Sequence, residues 1–424
     1  MNKVLEVAKK AKIATRSILA LDSSHKKELL EEISKDILIK KDGILEANSL
    51  DVHNAIENNL PSPLIERLKL DQQSLEIISN DILNVADQND SLGLTVEKRK
   101  LKNGLELSKK IIPIGVIGVI YESRPNVTID IASLCLKTNN VCILRGGKET
   151  INTNLYLVNI IKNVLRKFNL SEDIVQYIGD TSRDSIKELL QMDDYVDLII
   201  PRGGSQLHEL CKTISKIPVI IGGFGVSHLF VDRTANIEKA INVIIDSKTD
   251  KPSACNSLDT LIVHKDIIED VFIKLAPEIN KYKLNTYCDE LTRKMLLKKG
   301  VNSNLIFKMT EETLNTEWLS LSINVLILES TEKVVSHILN HNAIHSDSIL
   351  TEDIDNANYF VDHIDSAAVY VNCSTRFTDG AAFGLGAEVA VSTQKIHARG
   401  PMAIDSLTSY KWVGKGNYLC KSNK

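Results

Sequence analysis

No apolar run in the 424 residues reaches the roughly 20 that a membrane helix needs, so no spanning segment is expected. Residues 1–16 are polar and amphipathic and lack the apolar core of a secretory signal. The chain also lacks charge of one sign. Its formal net charge is -4, so no global basic field would hold nucleic acid or an anionic membrane, and neither is expected as a partner. The seven cysteines (135, 142, 211, 255, 288, 373, 420) form no C-x-x-C pair. With an odd count, irregular spacing and a long chain, a reducing, cytoplasmic setting fits better than a disulfide scaffold. A Walker loop is missing, because its first glycine would fall on Cys142 and Lys148 is followed by Glu149. No G-x-G-x-x-G fingerprint occurs either. His337, His341 and His345 fall four apart, but polar residues after 340 end the helix and no cysteine completes a ligand set, so no metal site is expected.

With hydrophobic residues at 43% and charged residues at 25%, the chain reads as an ordinary globular protein of two or three domains. The first 85 or so residues read as helices, with apolar residues such as Leu5, Ala8, Ile13 and Ile18, and later Ile77, Ile78 and Ile82, at helical spacing. Asn103-Gly104, between two extended charged arms at 96–112, predicts a two-residue hairpin standing out as a flap. From 114, strand and helix alternate. Apolar runs at 114–121, 141–144, 174–177, 196–200, 219–221 and 229–231 suit strands buried on both faces, hence a parallel, doubly wound sheet. A second α/β unit runs from about 236 to 371 and contains a helix at 237–247 and a strand at 258–263.

Two Arg-Gly-Gly turns, at Arg145-Gly146-Gly147-Lys148 and Arg202-Gly203-Gly204, each follow a strand and precede a helix. Glycine lets backbone approach a ligand, and the helix start beyond offers unpaired N–H groups to an anion, so these turns are candidate nucleotide-phosphate sites. Arg145 and Lys148 beside a ribose favour a 2′-phosphate, hence NADP over NAD. Cys255 lies in a polar loop, Lys251 to Ser257, whereas Cys135 and Cys142 lie in apolar runs that suit inert thiols. Asn126 starts a helix, where it would serve as an N-cap or as an amide donor to an oxyanion. Arg376 and Arg399, in a tail rich in glycine and small polar residues, are natural forks for carboxylate or phosphate.

These blocks together resemble the γ-glutamyl phosphate reductases, a branch of the aldehyde dehydrogenase superfamily. The matching stretches are Gly118–Thr128, Ile143–Glu149, Ile200–Gly204, Pro252–Asn256, Ala368–Asn372, Ser374–Gly380 and Phe383–Lys395 with His397–Met402. The resemblance spans essentially the whole chain. It implies an aldehyde-dehydrogenase-like α/β fold: an NADP-binding domain (1–95 and 113–233), a catalytic domain (234–371), and an oligomerisation hairpin with a substrate-site tail (96–112 and 372–424). It further implies Cys255 as nucleophile and Asn126 as an oxyanion donor. Arg145 and Lys148 would lie at the adenosine ribose of NADPH, Gly203 and Gly204 at its pyrophosphate, and Glu317 at its nicotinamide ribose. Arg124, Arg376, Arg399 and His397 would bind L-glutamyl 5-phosphate, with the division between carboxylate and phosphate open. A homo-oligomer is implied, with glutamate 5-kinase as a separate protein and candidate partner. Oxidising members carry a water-activating acid ahead of the cysteine, where this chain has Ile220-Ile-Gly-Gly-Phe-Gly225. Reduction is therefore expected, and an aldehyde dehydrogenase oxidising a free aldehyde is the alternative.

Overall fold

The computed structural model describes residues 3–223 and 225–421. The chain divides into two compact units, Met1–Gly222 with Gly384–Ala390 and Pro401–Lys424, and Gly223–Phe383 with Val391–Gly400.

In the first unit, five helices (Lys3–Ile18, Ser23–Ile39, Lys41–Glu57, Ser62–Leu68, Gln72–Asp87) occupy the N-terminal stretch. Asp22 and Asp71 cap two of them, accepting from the His25 and Ser74 N–H groups at 2.9 and 2.7 Å. The first helix buries Val4, Ala8, Ala11, Ala14 and Ile18, while Ile13 is exposed. Alanines carry that stripe, so hydropathy alone misplaced its face by one residue. Ile77 is likewise exposed, and Leu75, Ile78, Ile82 and Val85 make the buried face of the fifth helix.

Strands β1 (Thr95–Lys100) and β2 (Glu106–Pro113) form the expected hairpin. The turn is longer than predicted. Leu101 N–H bonds the Leu105 carbonyl, leaving residues 102–104 as a three-residue loop with Gly104 at φ 89°. Strands β3 (Val116–Tyr121), β4 (Val141–Arg145), β5 (Val175–Tyr177) and β6 (Leu198–Arg202) form a parallel sheet in the order β5-β4-β3-β6. The run at 219–221 contributes only an isolated bridge from Val219 to Ile199.

The second unit has a seven-stranded parallel sheet. It is built from β7 (His228–Val231), β8 (Thr260–His264), β9 (Asn285–Cys288), β10 (Ile306–Lys308), β11 (Ser322–Leu328), β12 (Ser346–Leu350) and β13 (Ala368–Val371), in the order β10-β9-β11-β8-β7-β12-β13. Strand β7, read from the sequence as part of the first sheet, lies here between β8 and β12. Its four buried residues carry no mark of which parallel sheet they join. Leu229, Val231, Leu261, Val263, Phe272 and Ile323 belong to one apolar cluster of this unit, and Phe230, Ile262 and Phe360 to another. The last strand, β14 (Thr408–Lys415), pairs antiparallel with β2, so the flap is a three-stranded sheet of the first unit.

Candidate active site

The first unit gathers its candidate residues at the carboxyl ends of β3, β4 and β6, where open parallel sheets bind ligands. After β3, Ser123 adopts φ 46°, a strained value for a residue with a side chain. Its N–H and hydroxyl both donate to Glu149 Oε1, at 3.0 and 2.7 Å. The loop after β3 is thereby tied to the loop after β4. Arg124, half-buried, lies between this tie and the helix Asn126–Lys137. Asn126 is the first helical residue but does not cap the helix. Its Nδ2 donates to Asp130 Oδ2 at 3.0 Å, one turn on.

Arg145 ends β4 and is buried. Its Nη2 donates to the Thr181 and Ser182 carbonyls at 2.6 and 2.9 Å, and Nη1 to the Gly146 carbonyl at 3.2 Å. These bonds brace the glycine turn from behind, while Lys148 is exposed. Gly146 has no room for a side chain, because a Cβ would lie 2.3 Å from Asn154 Nδ2 and 2.9 Å from Tyr177 Oη. Asn154 belongs to a buried polar chain in which Tyr121 bonds Thr128 and Thr128 donates to Asn154.

Beyond β6, Gly204 precedes the helix Ser205–Ile214, whose start has no side-chain cap. The Leu207 N–H bonds the Gly204 carbonyl at 3.0 Å, while the Ser205 and Gln206 N–H groups precede the helical ladder. A Cβ on Gly204 would meet nothing within 4 Å, whereas one on Gly203 would meet the Glu122 carboxylate. Glu122 Oε2 accepts from the Gly204 N–H at 3.0 Å. An internal carboxylate therefore rests on the turn expected to receive a phosphate. The open cradle, the uncapped helix start and exposed Lys148 fit the anionic half of a dinucleotide.

In the second unit, Cys255 follows the helix Ile237–Thr249 in a pair of tight turns. In these, Ala254 N–H bonds the Lys251 carbonyl and Ser257 N–H the Ala254 carbonyl, each at 3.0 Å. Cys255 is half-buried, whereas Cys135, Cys142, Cys211 and Cys288 are buried. Burial pushes the Cys211 and Cys288 thiols up to about 12, leaving them inert near neutral pH. Asn256, next to the nucleophile candidate, is clamped from the tail. Its Nδ2 donates to the Thr378 carbonyl at 2.9 Å and the Arg376 carbonyl at 3.2 Å, and its own carbonyl accepts from Thr375 Oγ1 at 2.7 Å. Arg376 spans the loop, donating to Asp250 Oδ2 from Nε at 3.0 Å and to Asn256 Oδ1 from Nη1. Arg376 thus serves here to fix the cysteine loop.

Asp259, at the entry to β8, accepts from the Trp318 N–H at 3.0 Å and the Ser227 N–H at 3.2 Å. The first bond anchors the segment carrying Glu317 to the strand that leaves the cysteine loop. Burial, then Asp259 and Cys255, push the Glu317 carboxyl up to about 8, against a smaller opposing pull from His345. Glu317 Oε1 is buried without a hydrogen-bond partner among the described residues. Lys248 lies 3.8 Å from Asp259 Oδ1, and both are fully buried. Burial outweighs their attraction, lowering Lys248 to about 8 and raising Asp259 to about 6.

Arg399 is held with Lys395 on Asp365. His397 is exposed in the same segment. His337 stacks on His341 at 3.9 Å between ring centres, and the helix Thr331–Asn340 ends there. Phe224, within the stretch that lacks the water-activating acid, lies outside the described residues. Sequence reading passed over Asp130, Glu122, Asp259 and Lys248. Only Asp130 had a visible signal, four residues from Asn126 and so on one helix face.

The family model described as the aldehyde dehydrogenase family matches residues 2–295. A γ-glutamyl phosphate reductase from Vibrio parahaemolyticus is 48% identical over 416 residues, covering 98% of this chain and 99% of the relative. The crystal structure of γ-glutamyl phosphate reductase from Thermotoga maritima superposes with a TM-score of 0.94 at 36% identity, covering 99% of this chain and 100% of that one. An engineered glycolyl-CoA reductase with bound NADP+ shares the fold at a TM-score of 0.69 and 16% identity, over 97% of this chain and 96% of that one. The chain belongs to the aldehyde dehydrogenase family and, within it, to the γ-glutamyl phosphate reductases.

Proposed function

We propose that the protein reduces L-glutamyl 5-phosphate to L-glutamate 5-semialdehyde and phosphate, a step on the route from glutamate to proline. The observation that carries this beyond family membership is the state of the acids around Cys255. Glu317 is a carboxyl whose charge is opposed by burial, Asp259 and the Cys255 thiol, and at about 8 its pKa keeps it largely protonated near neutral pH. A protonated acid does not activate water, and the stretch ahead of the cysteine supplies no acid in its place. This supports a thioester on Cys255 that is reduced rather than hydrolysed, which is the requirement of a reductase.

In this reading the Cys255 thiolate attacks the acyl-phosphate carbonyl, the C–S bond forms, the bond from the acyl carbon to the bridging phosphate oxygen breaks and phosphate leaves with the electron pair. The resulting thioester accepts hydride more readily than a carboxylate would. When bound, the nicotinamide cofactor supplies that hydride. Cys255 then leaves as thiolate, and the semialdehyde closes to 1-pyrroline-5-carboxylate without further catalysis. The developing oxygen charge is assigned to the Cys255 N–H and the Asn126 amide. Lys148 is assigned the 2′-phosphate, which makes NADPH the preferred cofactor, with Arg145 bracing the turn that presents it. Gly203 and Gly204 are assigned the pyrophosphate, with Glu122 withdrawing, and Glu317 the nicotinamide ribose. Arg124, Arg376, Arg399 and His397 remain the substrate-anion group, with Arg376 acting also through the cysteine loop.

A homo-oligomer built on the three-stranded flap, a cytoplasmic location, and supply of the acyl phosphate by glutamate 5-kinase complete the proposal. The test runs the reaction backwards, following NADPH formation from 1-pyrroline-5-carboxylate and NADP+. Strict dependence on inorganic phosphate, with a lower KM for NADP+ than for NAD+, is expected. Turnover that ignores phosphate would favour the aldehyde-oxidising reading.

A further inference from the structure

Asp130 has no part in the chemistry above, yet it is placed at a disadvantage. It stands one turn into the helix Asn126–Lys137, partly accessible but with enough protein around its carboxyl to oppose ionisation. The charged groups facing it come from three other elements. Asp81 on the helix Gln72–Asp87 and Glu388 in the segment 384–390 disfavour its charge, while Arg202 at the end of β6 favours it. The balance raises its pKa to about 7. Neutral side chains would fill this position at lower cost, so an acid here needs a local reason.

That reason is the bond from Asn126 Nδ2 to Asp130 Oδ2 at 3.0 Å. A carboxamide presents a donor end and an acceptor end of nearly equal size, and rotating it by half a turn exchanges them. An oxyanion donor is useful only with nitrogen in the donor position. A carboxylate accepts and does not donate, so it selects the orientation in which Nδ2 faces it. One N–H is engaged there and the other is left for a substrate oxygen. We propose that Asp130 is the positioning residue for Asn126, locking the amide with its nitrogen as the donor. The proposal rests on the assignment of Asn126 to the oxyanion. Protonation of Asp130 removes the selection, because a neutral carboxyl can donate to Asn126 Oδ1 as well as accept.

The test is a double-mutant cycle on kcat and KM in the full-length protein, with each variant's fold checked by circular dichroism and melting. Asn126→Ala is expected to lower kcat by roughly 10²–10³, as loss of an oxyanion donor does. Asp130→Ala is expected to lower kcat about tenfold with KM unchanged, and to have no further effect in the Asn126→Ala background. The acid limb of the wild-type kcat profile, near pH 7, is expected to vanish in Asp130→Asn. That variant keeps the shape of the side chain, so it carries the same cycle should the alanine variant not fold. Wild-type kcat in Asp130→Ala overturns the proposal, as do effects of the two substitutions that multiply. Wild-type kcat in Asn126→Ala alone overturns the underlying assignment instead, and is recognised in that single variant.

Discussion

At Glu317, burial and the neighbouring Asp259 push the carboxyl up to about 8, and the group is held by backbone anchoring through Trp318. The unfolded chain would titrate the same group near about 4.3. Between those values the folded state binds the extra proton. The group's favourable contribution to stability is thus complete below about pH 4 and is lost as pH rises through about 8. Glu317→Gln removes this dependence. Melting temperatures of the two proteins are expected to diverge in favour of the variant between about pH 4 and pH 8. A constant difference across that range would mean that Glu317 is not held protonated. Lys248 and Asp259 remain in the variant.

The two glycine turns, alike in sequence, differ in what surrounds them. A Cβ on Gly146 would strike Asn154 and Tyr177, so Gly146→Ala is expected to cost about 1–3 kcal/mol through overpacking. A Cβ on Gly204 would enter open space, so Gly204→Ala should leave the melting temperature unchanged while raising the KM for NADP+. Melting curves beside cofactor titrations check both, and equal destabilisation by the two substitutions would refute the distinction. The turns themselves were legible as glycine between strand and helix, and so were most helices and strands of the first sheet. The partners of the turns were not. Arg145 reads as a ligand-facing cation, yet bonds the carbonyls of residues 181 and 182, which approach only after the fold forms. Strand β7 was visible as an apolar run, but its sheet is set by packing between β8 and β12. Cys255 stood out by its polar loop, whereas Asp259 passed as a polar residue within the strand read at 258–263.

On the scale of the whole molecule, the flap of β1, β2 and β14 leaves Tyr410, Trp412 and Val96 exposed in a 47.1 kDa chain. Arg99 lies 5.8 Å from the Trp412 ring centre, so this face sets an arginine against an aromatic, the residue types that interfaces favour. Light scattering is expected to report a species larger than one chain. Trp412→Glu should reduce it towards the monomer without lowering the melting temperature of the two parallel sheets, and an unchanged mass would place assembly elsewhere. The central claim is that Cys255 carries the acyl group and that water does not release it. Its most direct test is a single mixing of the protein with glutamate 5-semialdehyde and NADP+ in phosphate-free buffer, followed by absorbance and by mass spectrometry of the Cys255 peptide. The expected result is a burst of NADPH no larger than the enzyme concentration, a glutamyl group retained on Cys255, release on adding phosphate, and no burst in Cys255→Ser. Steady NADPH formation without phosphate, from an unmodified Cys255, would contradict the account.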